Sequence, residues 1–103
     1  MSVRVMVFAT IQPGTQKDFE AAFSRVTQQV KGTKGHIRDE LIRDAANPDA
    51  YILLSEWESQ EAFLAWEDAP IHKETTTPMR PYWAGNIERK IYTLAYSLNS
   101  TEK

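Results

Sequence analysis

The chain has 103 residues, 42% hydrophobic and 25% charged, with a formal net charge of −2 and no cysteine. That length suits one soluble domain, and the acidic balance argues against nucleic acid, which needs a basic footprint. The missing cysteines exclude disulfides, thiolate metal sites, iron–sulfur clusters and cysteine nucleophiles. No apolar run approaches the ~20 residues of a membrane span, and the N-terminal VRVMVFATI reads as a strand instead of a signal peptide. A cytoplasmic location is the default expectation. One domain over 1–103 is expected, with its core at about 3–98 and a polar tail at 99–103.

Residues 3–11 are apolar on both alternating sets: Val3, Val5, Val7, Ala9 and Ile11 on one, Met6 and Phe8 on the other. This predicts a strand covered on both faces. Pro13-Gly14 makes a turn, and Thr15, with Asp18 three residues on, offers a helix cap. Phe19, Ala22, Phe23, Val26 and Val30 recur at helical spacing, so 16–31 is read as an amphipathic helix ended by Gly32 and Gly35. Residues 36–44, with many charges and few apolar anchors, suit an edge strand, and Asn47-Pro48-Asp49 turns the chain after it.

Residues 51–57 are again apolar on both faces. Ser59 caps a second helix over about 60–68, which Pro70 stops. Pro78, Pro81 and Gly85 predict a loop or short helical turn across 72–85. Residues 86–98 read as a long last strand.

The order β-α-β-β-α-β is the ferredoxin-like unit of an α+β fold. In it the first and third strands are central and the second is an edge, which matches the apolar and charged patterns. Two helices cover only one face of such a sheet. The other face is apolar too, so a second copy is expected to cover it, giving a homodimer.

The pattern resembles the antibiotic biosynthesis monooxygenase family of dimeric α+β barrels. The matching pieces are Pro13-Gly14, Gly35 followed by Glu40-Leu41-x-Arg43-Asp44, and Asn47-Pro48-Asp49. They continue with Tyr51–Leu54, Trp57-Glu58-Ser59, Phe63, Trp66, Ala69-Pro70 and His72, so the likeness runs over about 3–97. It implies the fold more closely than the reaction. The family includes cofactor-free oxygenases of phenols, quinols and polyketide anthrones, and also haem-degrading enzymes.

On that likeness, His72 is the expected general base and Trp66 the indole that stacks on a flat substrate and donates a hydrogen bond. The competing readings are a capping histidine at a helix C-terminus and plain core packing of the second helix. Phe23 and Phe63 are expected to line the pocket. Met79, Tyr82 and Trp83 form either a lid or a hydrophobic plug that docks their loop. Trp57 is read as core or dimer packing and His36 as exposed; Arg80 and Arg89 are read as solvated or inter-subunit ion pairs, with the holding of an anionic substrate group as the other reading.

The implied reaction is a monooxygenation with dioxygen as co-substrate and no cofactor. Haem is the alternative, with His72 as an iron ligand. The haem-degrading branch uses an Asn on the first strand and a more distant His, and the stretch Val5-Met6-Val7-Phe8-Ala9 and the six-residue step from Trp66 to His72 both depart from that. A non-catalytic barrel holding a hydrophobic small molecule is a further alternative. No metal site is expected from His36 and His72.

Overall fold

The computed structural model describes residues 2–101. Strand β1 (Val3–Thr10) is followed by helix α1 (Gln16–Val30), strands β2 (His36–Arg43) and β3 (Ala50–Trp57), and helix α2 (Gln60–Asp68). Helix α3 (Pro70–Thr76), a 3₁₀ turn (Thr77–Tyr82) and strand β4 (Glu88–Thr93) complete the order. The strands form one antiparallel sheet in the order β2-β3-β1-β4. The doubly apolar strands are therefore central, and the charged strand is an edge.

The register decides which residues meet. Val5 lies opposite Ser55 and Ile91, and Val7 opposite Leu53 and Arg89, all on the face that carries the helices. The core sits there, with Val3, Val5, Ile11, Phe19, Val26, Trp57 and Phe63 buried. Burying a side chain of this kind stabilises by roughly 1.5–3 kcal/mol. On the reverse face Met6 and Phe8 lie opposite Leu54 and Ile52, and all four are only half-buried in a single chain.

Several expectations are corrected. Thr15 does not cap α1 with its side chain: its hydroxyl donates to the Gln12 carbonyl at 2.6 Å instead. Ser59 does cap α2, accepting the Ala62 N–H at 3.1 Å. The segment 72–85, read as a loop or short helical turn, takes the helical form: α3 runs straight into the 3₁₀ turn. Pro70 opens α3 at its first turn, where a missing N–H costs nothing. The last strand is shorter than 86–98. Val3, the first residue of β1, lies opposite Thr93, so the ladder runs out of partner there and Leu94 makes its last bond to Ser2 O at 3.1 Å. Tyr96 and Leu98 are exposed.

Edge strand β2 carries a bulge. His36 lies opposite Trp57 and Arg38 opposite Glu56, so Ile37 is an extra residue. In an unbroken strand, residues three apart face opposite ways. The bulge resets that parity. His36 and Asp39 therefore share the helix-side face, while Arg38 joins Glu56 on the reverse face.

Candidate active site

A cavity of about 210 Å³ lies between the sheet and the helices. The sheet contributes Val5, Val7, Leu53, Ser55 and Trp57, and α1 contributes Phe23, Val26 and Val30. Phe63, Trp66 and Glu67 come from α2, His72 and Thr76 from α3, and Met79, Arg80 and Trp83 from the 3₁₀ turn and the residue after it. Asp39, Ile87 and Arg89 complete the edges. Each helical residue gets there by spacing: Phe63, Trp66 and Glu67 occupy i, i+3 and i+4 of α2 and share a face.

The aromatic rings are in contact. Trp57 meets Phe63 and Trp66 at 5.6 Å between centroids, and Trp66 meets His72 edge-on at 4.4 Å and 90°. His72 is half-buried. Burial holds its pKa below the ordinary histidine value of 6.5; Glu67 pulls it back up and Arg80 pushes it down. The net effect favours the neutral ring, the form that accepts a proton. Glu67 is itself held by Arg89 in a two-pronged ion pair at 2.8 and 3.0 Å, and the Arg89 guanidinium lies 5.6 Å from the Phe63 ring centre.

The structure brings together most of the residues singled out in the sequence: His72, Trp66, Phe23, Phe63, Met79 and Trp83 all line this cavity. Tyr82 does not. Its ring packs on Phe19 at 6.2 Å, and its carbonyl accepts from Gln12 N at 2.8 Å. Trp83 also packs on Phe19, at 5.4 Å, and Ala84 N donates to Thr10 O at 2.8 Å. A bridge between Trp83 and Ile11 adds to these contacts and docks the segment against β1 and α1. Trp57 is fully buried core.

His36 is a correction. Its side chain is only 7% exposed, its Nε2 lies 2.8 Å from Asp39 Oδ1, and its ring meets Trp57 at 5.0 Å. The exposed reading fails because the bulge turns it inward. Among the described residues no group of three His, Asp or Glu side chains can hold a metal ion. Glu67 and Asp39 were not singled out in the sequence. Glu67 adjoins Trp66 and carried a signal, one step along the same helix face. Asp39 carried none, because strand parity alone assigns it to the face opposite His36.

The fold and cavity define a class: a ferredoxin-like α+β domain with a ring-walled pocket on the helix side of its sheet. The model of the antibiotic biosynthesis monooxygenase family matches residues 2–77, and the chain belongs to that family. It is similar to the protein SchA of Streptomyces halstedii, with 39% identity over 83 residues, 81% of this chain and 22% of that protein. It thus spans about a fifth of SchA's length. It is also similar to the mycobilin-producing haem oxygenase of Mycobacterium tuberculosis H37Rv, with 28% identity over 60 residues, 58% of this chain and 57% of that protein. The fold is similar to that of SnoaB, a cofactor-independent oxygenase of Streptomyces nogalater, with a TM-score of 0.80 and 22% identity over 94% of this chain and 96% of that one.

Proposed function

We propose that the chain is a small monooxygenase that oxidises an electron-rich aromatic phenol, quinol or polyketide anthrone in this cavity, with dioxygen as co-substrate and no tightly held cofactor. The observation that carries the reading is His72: a half-buried imidazole, kept neutral by its surroundings, at the wall of an apolar cavity faced by Trp66 and Phe63. Family membership and the fold shared with SnoaB support it.

In this scheme the substrate ring lies among Phe23, Phe63 and Trp66, where flat aromatic surface is complementary. Met79 and Trp83 close the wall. His72 takes a proton from the phenol or the activated C–H. The resulting carbanion or phenolate reduces dioxygen itself. For an anthrone the two C–H hydrogens leave, one oxygen atom becomes the new carbonyl and the other leaves as water. The surrounding apolar wall keeps bulk water from the carbanion. Arg89 holds Glu67, whose carboxylate stabilises the imidazolium that forms.

Haem, which the name of the mycobacterial relative suggests, is the alternative ligand, and His72 at the cavity wall is the residue that would hold its iron.

We also propose that a second copy covers the reverse sheet face, where Met6, Phe8, Ile52 and Leu54 form an apolar band and Ile42 and Tyr92 are exposed. Light scattering at micromolar concentration should give twice the 11.8 kDa of the chain, and a clean monomer would remove this part of the reading.

The deciding experiment is dioxygen uptake with anthrones and simple quinols, with and without chelator. His72→Gln should lower turnover roughly 10²–10⁴-fold, the size of a general-base contribution, with little change in binding. Near-full activity in that variant would sink the base assignment. Ligand binding without oxygen uptake would point to a non-catalytic barrel, and a Soret shift on adding hemin would point to haem.

A further inference from the structure

The wall of the cavity carries a second polar station that the scheme above does not use. Asp39 lines the cavity from edge strand β2, and its side chain is only 11% exposed. One carboxylate oxygen is 2.8 Å from His36 Nε2, and the other accepts the Thr27 hydroxyl of α1. Ser55, its cross-strand neighbour on β3, also lines the cavity and accepts the Trp57 indole N–H at 3.0 Å. Asp39 is thus fixed from two sides, by a strand neighbour and by a helix.

This station lies away from His72. Asp39 is on the β2 edge of the sheet, whereas Glu67, beside His72, is tied to Arg89 on the β4 edge. Three strand spacings of ~4.8 Å separate those edges. The two imidazoles are joined along the wall by a chain of ring contacts, His36 to Trp57, Trp57 to Trp66 and Trp66 to His72.

A carboxylate offers about four acceptor sites, and His36 and Thr27 use two. An acceptor with spare capacity at an apolar wall selects a ligand that brings a donor to it, because a ligand without one leaves the carboxylate desolvated and unanswered. We propose that Asp39, positioned by His36 and Thr27, is a specificity-determining residue that accepts a hydrogen bond from a hydroxyl of the substrate at the end remote from His72. The substrate class narrows accordingly to fused aromatics with hydroxyls at both ends. The proposal rests on the aromatic-substrate reading but not on the oxygen chemistry.

The test is titration calorimetry of the full chain with naphthalene, 1-naphthol and 1,5-dihydroxynaphthalene. Wild type should bind the diol most tightly. Asp39→Asn should weaken the diol roughly 10–100-fold, the size of one lost charge-assisted hydrogen bond, and leave naphthalene within about twofold. Thr27→Val, which keeps the charge but loosens its placement, should give a smaller loss of the same selectivity. Comparing ligands within one variant separates recognition from a general loosening of the fold. Equal loss for all three ligands, or no loss for the diol, overturns the role of Asp39. Failure of all three to bind wild type overturns both the role and the aromatic-substrate reading. Selective binding without oxygen uptake upholds Asp39 while removing the oxygenase reading.

Discussion

Gly35 sets how closely β2 approaches the helix that carries Phe63 and Trp66. Its φ is +84°, a conformation side chains disfavour, and its carbonyl accepts from Glu58 N at 2.8 Å. A Cβ added there would overlap the Ala62 Cβ on α2, well inside the ~3.5–4.0 Å of an ordinary carbon contact. Gly35→Ala should therefore cost twice over. The left-handed backbone costs about 1–2 kcal/mol, and overpacking against a helix costs about 1–3 kcal/mol more. Gly14 is the control: its φ is +82°, but nothing lies within 4 Å of an added Cβ. Gly14→Ala should cost only the backbone part. In urea denaturation the expected losses are about 2–5 kcal/mol for Gly35→Ala and about 1–2 kcal/mol for Gly14→Ala. Ala62→Gly in the Gly35→Ala background should recover the overpacking part, less the ~1 kcal/mol that glycine costs inside a helix. Equal losses at the two glycines, with no recovery in the double variant, would refute the close approach.

Phe19 is fully buried, so Phe19→Ala should cost about 3–5 kcal/mol, whereas Phe23 is half-buried against the cavity and should cost less on the same change. Denaturation midpoints that reverse this order would place Phe23 in the core. The rate should rise with pH through an apparent pKa below 6.5 and level off by neutrality, since burial lowers the His72 value and the neutral ring accepts the proton. Stability follows the same sign: it is full above about 6.5 and falls as pH drops through the folded-state value, because protonation favours the unfolded chain. A pH–rate profile still climbing above pH 7 would exclude His72 as the base.

Much of the fold was legible because it follows from periodicity. The doubly apolar strands became the central pair, the charged strand an edge, and Phe19, Ala22, Val26 and Val30 the buried stripe of α1. The cavity wall was legible where residues sat on a helix face, as with Phe63 and Trp66, or where the family likeness pointed, as with His72. Three things were hidden. Pro70 serves equally to stop one helix and to start the next, so the pattern left loop and short helical turn open where α3 begins. The end of β4 is set by where β1 begins, a non-local fact. His36 and Asp39 meet only through an inserted residue, Ile37, whose side chain gives no sign of the bulge it makes.

The chain has three tryptophans, and Trp57, Trp66 and Trp83 all line the same cavity. Its indole fluorescence is therefore a report from one place. Light emitted by the folded protein comes from that wall, with no remote tryptophan to dilute it. Trp57 and Trp66 are close enough to exchange excitation, so a ligand that quenches either drains both. The protein thus carries a built-in optical gauge of whether its cavity is filled.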